Sequence, residues 1–121
     1  MEEQKLPAEA LAQKQQLLAG KAISGDVIAV VNSITALAMM NTDVIHIHPR
    51  FFGHTNSFSI SVNPADTNYQ EGCDQPELMR ELLYLDDDGS LEELLSIESN
   101  LTELVIEARE QAEVSECNTQ Q

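Results

Sequence analysis

Two runs of alternating residues, separated by a short loop, constrain this chain more than anything else in it. Ile45, Ile47 and Phe51 alternate with His46, His48, Arg50 and Phe52. On the return, Phe58, Ile60 and Val62 alternate with Ser57, Ser59, Ser61 and Asn63. Period two is the mark of half-buried strands. With Gly53-His54-Thr55-Asn56 as the loop, antiparallel pairing sets Phe51 against Phe58, Pro49 against Ile60 and Ile47 against Val62 on one face. The same register sets Arg50 against Ser59, His48 against Ser61 and His46 against Asn63 on the other. A slip of one residue turns every side chain over, so this agreement specifies a hairpin with one apolar and one polar face. Pro49 cannot donate to a ladder, which suits an edge strand. A two-stranded sheet is marginal in water. The hairpin must therefore pack on helices or pair with a second copy.

The rest of the chain reads as helix. In "PAEALAQKQQLLAG", Pro7 suits a first turn and Gly20 the position past the end, although the apolar stripe is thin. "SGDVIAVVNSITALAMMN" follows, with Ser24 or Asp26 as cap and Asn41 ending it in a left-handed turn. It is apolar nearly all round, which predicts a buried helix. It is too short for the ~20 residues that cross a bilayer. A chain of 121 residues has little material to wrap such a helix, which points to a partner subunit. Pro76 opens "PELMRELLYL", read as a short helix, and Ser90 with Glu93 forms a capping box for a long amphipathic one. Leu94, Ile97, Leu101, Leu104 and Ala108 make its heptad-like stripe and are the expected dimer interface.

The fold expected is therefore α+β: two N-terminal helices, one antiparallel β-hairpin, a short helix and a long C-terminal helix, assembled as a homodimer. The length bounds this to one domain, residues 1–116, with a disordered tail at 117–121.

The net charge of −15 is unevenly spread. Residues 1–65 set Lys5, Lys14, Lys21 and Arg50 against Glu2, Glu3, Glu9, Asp26 and Asp43, a balance of −1. Residues 66–121 set Arg80 and Arg109 against sixteen acids, a balance of −14. Such a surface repels nucleic acid and anionic membranes and attracts basic proteins. Glu103, Glu107, Glu110 and Glu113 line the C-terminal helix and are the expected partner-binding residues. Like charges at i,i+4 and acids near a helix C-terminus both oppose the helix, by tenths of a kcal/mol to about 1 kcal/mol each. That cost fits a surface kept for a basic partner, as in proteins that imitate the charge of DNA. It also fits a solvated face kept for solubility.

Catalytic patterns are missing from the sequence. It holds no Gly-x-Ser-x-Gly and no phosphate-cradling glycine loop. Cys73 and Cys117 make no disulfide framework, and no signal peptide opens the chain, which suits free thiols in a reducing cytoplasm. "YLDDDGSLEEL" fails as an EF-hand, because Tyr84 and Leu95 fall on its first and last ligand positions. His46 and His48, two apart on a strand, lie ~7 Å apart on one face, a spacing that metal sites use. Their cross-strand neighbours Ser61 and Asn63 are poor zinc ligands, so the pair is a weak metal candidate. No cofactor is expected. The favoured reading is a non-catalytic acidic protein, an accessory protein of a bacterium or phage, that modulates or inhibits a basic partner such as a nucleic-acid-binding protein. A structural or chaperone-like dimer and a metal-dependent activity at His46 and His48 are the alternatives.

Overall fold

A computed structural model describes residues 23–119, with side chains placed through Val114. Helix α1 (Gly25–Met40) is followed by strands β1 (Ile45–Phe52), β2 (Ser57–Pro64) and β3 (Met79–Tyr84), then helix α2 (Ser90–Thr119). The strands form one antiparallel sheet in the order β1-β2-β3. The β1–β2 register is the one the alternation predicts, with Phe51 on Phe58, Ile47 on Val62 and His48 on Ser61. Pro49 lies, as expected, on an edge strand.

The α+β class holds, but its predicted make-up needs correction. "PELMRELLYL" supplies a third strand rather than a short helix. Its Glu, Leu, Met and Arg residues are helix formers, yet propensity is a weak prior that tertiary pairing overrides. The open edge of β2 offers an unpaired ladder, and β3 takes it, setting Leu83 against Phe58 and Arg80 against Ser61. Leu83 and Leu85 are buried on alternate positions while Arg80, Leu82 and Tyr84 are exposed. The hairpin is thus completed by its own chain and needs no second copy. The helix expected over residues 7–20 lies outside the described residues.

Both helices cover the apolar face of the sheet. α1 packs over β1, α2 over β3, and the helices touch each other. Their buried residues join Ile45, Ile47, Phe58, Ile60, Val62 and Leu83 in one core. α1 is not enclosed, as its composition suggests it should be: it buries Val27, Ile34 and Ala38, but Met39 and Met40 are 73% and 69% exposed. α2 buries Leu94, Ile97, Leu101 and Val105, and beyond Val105 none of its described residues is buried. At ~1.5 Å per residue its 30 residues run ~45 Å, well past the 6- to 8-residue strands.

The local caps differ from the simplest reading. Ser24 does cap α1, its hydroxyl accepting from the Val27 N–H at 3.2 Å. Asn41 ends α1 at φ −128°, not in a left-handed turn. Its buried side chain donates to the Leu37 carbonyl at 2.8 Å. Its Oδ1 accepts from Arg109 Nε and Nη2 at 3.1 and 2.9 Å. Ser90 does not form the capping box; its hydroxyl donates to the Leu85 carbonyl at 3.0 Å, locking the turn that Gly89 makes at φ +85°.

Arg109 also bonds Asp43, with Nη2 3.0 Å from Oδ1, so one side chain ties α2 to the α1–β1 turn. That hydrogen bond holds the Asp43 carboxyl below its ordinary range. A lowered value means that the tie contributes above the ordinary carboxylate range and is lost as pH falls through the lowered value. Replacing Asn41 with alanine strips both the cap and the Arg109 acceptor. We expect a loss of about 1–3 kcal/mol in urea denaturation at neutral pH. A loss under about 0.5 kcal/mol would mean that water satisfies these groups equally well.

Candidate binding faces

Neither helix of the described residues covers the second face of the sheet, and the strand register sorts its residues into rows. His48, Ser61 and Arg80 form one row across the three strands, and Arg50, Ser59 and Leu82 form the next. Phe52, Ser57 and Tyr84 form a third, nearest the hairpin loop. The polar rows line a cleft of about 310 Å³, closed at its side by Tyr69, Gln75 and Glu77 from the β2–β3 connection. Asn63 pins that connection, its Nδ2 donating to the Pro76 carbonyl at 2.6 Å. The exposed Arg80 side chain is held by Glu77, with Nε 2.9 Å from Oε1 and Nη2 2.6 Å from Oε2. This pairing lowers the Glu77 carboxyl and raises the guanidinium. Among the described residues Arg50 makes no ion pair.

His46 and His48 are brought together by a residue that the sequence does not single out. The Tyr69 hydroxyl lies 2.8 Å from His46 Nδ1 and 3.2 Å from His48 Nε2. A phenol has one proton, so it donates to one imidazole and accepts from the N–H of the other. The rings of His46 and Tyr69 stack with centroids 5.7 Å apart. Both imidazoles therefore have a partner within the fold. His54 is apart from them in the hairpin loop, edge-on to Phe52. Among the described residues, no group of three or more His, Cys, Asp or Glu side chains is placed to hold a metal.

The expected partner-binding residues Glu103, Glu107, Glu110 and Glu113 are all exposed on α2. Among the described residues none of them meets a cation, since Arg109 is turned to Asn41 and Asp43. β3 adds Glu81, which joins Glu103 and Glu107 around a shallow groove floored by Leu78, Met79 and Leu104. The expected dimer stripe lies elsewhere on the same helix. Leu94, Ile97 and Leu101 are buried in the chain's own core, with Leu104 and Ala108 partly buried against it. The stripe is satisfied by intrachain packing, so it gives no support to a dimer.

Comparison with protein-family models, curated proteins and solved structures finds no match. No helix of the described residues is long and apolar enough to cross a membrane.

Sequence reasoning finds the histidines and the acidic stripe but misses Tyr69, Glu77, Arg80 and Glu81. For β3 a signal is present: Met79, Leu83 and Leu85 fall on every second position, one position between them being held by Glu81. For Tyr69 no local signal exists, because a 14-residue polar connection carries no periodicity to say where it folds back.

Proposed function

We propose that the protein is a non-catalytic binding protein that engages a basic protein surface through the exposed acidic side of α2 and β3. The observation that carries this reading is the set of exposed carboxylates at Glu81, Glu103, Glu107, Glu110 and Glu113 without cations among the described residues. Desolvating a carboxylate costs free energy unless it gains a partner, and a lysine- or arginine-rich segment supplies one for each. The apolar floor of Leu78, Met79 and Leu104 accepts the methylene stems of such side chains. A nucleic-acid-binding protein carries a basic surface of this kind. The test is capture from host lysate at ~50 mM salt and elution at ~500 mM, where the Debye length falls from ~14 Å to ~4 Å. A single basic protein that binds and then elutes supports the reading. Retention at high salt, or no capture, counts against it.

A homodimer is the second reading, and a specific observation favours it. Ile28 and Met39 fall on one stripe of α1, and with Met40 they give its outer side three exposed large apolar residues beside the polar Asn32, Ser33 and Thr35. Flexible methionines suit an adaptable contact. Light scattering of the full chain at micromolar concentration decides this: a monomer mass removes it.

A further inference from the structure

We propose that the open-face cleft binds a phosphate group, held between Arg50 and Arg80 above the hydroxyls of Ser59 and Ser61. The chain has three arginines among its 21 acids, and two of the three line this one cleft. By the sheet spacings their backbones are roughly 10 Å apart across the strands and about 7 Å apart along them, so both long side chains reach the space over β2. Ser59 and Ser61 stand on that strand between them, and among the described residues neither hydroxyl has a partner. Glu77 takes one edge of the Arg80 guanidinium and leaves the remaining N–H groups for a ligand.

The donors outnumber the acceptors in this cleft, so it suits a ligand rich in acceptors. A carboxylate is planar and is satisfied by one bidentate guanidinium. A tetrahedral dianion has enough oxygens for two guanidiniums and two hydroxyls at once. The volume of about 310 Å³ lies at the low end of the roughly 300–1,000 Å³ range of small-molecule sites. The net charge of −15 repels a polyanion far more than a small one. Both points select a small phosphate-bearing molecule over a nucleic-acid backbone. The row of Phe52, Ser57 and Tyr84 adjoins the cleft, with two exposed aromatic rings flanking a small residue. A planar group attached to the phosphate fits there. This site is on the sheet face opposite α2, so it stands or falls independently of the acidic surface.

The test is an amide NMR titration of the full chain with inorganic phosphate, against sodium chloride of equal ionic strength. The expected result is saturable shifts in Arg50, Ser59, Ser61 and Arg80 that chloride does not reproduce. Arg50→Gln and Arg80→Gln each weaken binding about tenfold or more, while Glu92→Gln, at an exposed position of α2, leaves it unchanged. Both arginines are exposed, and the spectra of the free variants report directly on their folding. A nucleoside monophosphate is the second arm. Tighter binding with added shifts at Phe52, Leu82 and Tyr84 assigns an aromatic phosphate ester, and equal binding assigns phosphate itself. Shifts that grow without saturating, match chloride, or persist unchanged in both arginine variants overturn the proposal.

Discussion

Replacing Leu101 with alanine is expected to lower the stability of the chain by about 2–5 kcal/mol, whatever the protein concentration. Leu101 is fully buried. It sits at the middle of the α2 stripe, with Leu94 and Ile97 before it and Val105 after it, in the core shared with α1 and the sheet. Phe58 is the one buried aromatic among the described residues, so the core around the gap is mainly aliphatic. Domains of this size are held by roughly 5–15 kcal/mol, so a loss of this order removes a large part of the total. The concentration arm separates two explanations of the same stripe. An interface between copies is stabilised by mass action, so its loss depends on protein concentration. A core within one chain shows no such dependence. Urea denaturation at two concentrations about a hundredfold apart reads both quantities. A midpoint that moves with concentration in the parent chain, and stops moving in the variant, would transfer Leu101 to an interface.

The same stripe shows what is legible in the sequence. Periodicity identifies which side of a helix is apolar, and α2 buries the predicted positions Leu94, Ile97 and Leu101. Periodicity does not say what covers that side. Here β3 and α1 cover it, and local propensity makes β3 look helical. Once "PELMRELLYL" is helical in the reading, the sheet is too small, the stripe has nothing to face, and a second copy becomes the natural remedy. One misread segment therefore generates two of the three grounds for a dimer, the lone hairpin and the uncovered stripe; the third, the apolar α1, does not depend on it. The β1–β2 hairpin escapes this, because two alternations that must agree with each other leave little freedom. The cleft depends on β3 to carry Arg80 beside Ser61 and on the β2–β3 connection to carry Tyr69 back over the histidines. Neither placement follows from local pattern, so the polar face of the hairpin is visible in the sequence and its third wall is not. The acidic stripe needs no tertiary information, since i, i+4 and i+7 share a face on any helix.

Changing Glu103, Glu107 and Glu110 together to lysine is expected to abolish capture of a basic partner, weakening it at least about a hundredfold, or ~2.7 kcal/mol. The reversal turns three of the five carboxylates of this face into positive charges, and like charges set against each other across an interface cost several kcal/mol. The fold should survive and gain slightly. In the parent helix Glu103 and Glu107 repel at i,i+4, and the acids near the C-terminal end oppose the dipole. Lysines there keep the like-charge pairs 103–107 and 107–110 but complement the dipole, and all three positions are exposed with no core contact to lose. A variant that melts no lower than the parent yet captures nothing places the recognition on this face. The single substitution Glu107→Lys sharpens the contrast. It sets a lysine four residues after Glu103, the favourable orientation for an i,i+4 ion pair, worth about 0.2–0.5 kcal/mol, so stability rises while binding falls. Stability and binding then move in opposite directions, an outcome that neither misfolding nor a purely solubilising role for the charge produces. If the triple variant captures the same protein at the same salt, the carboxylates of α2 are not the contact. The apolar outer side of α1 then becomes the surface to change next.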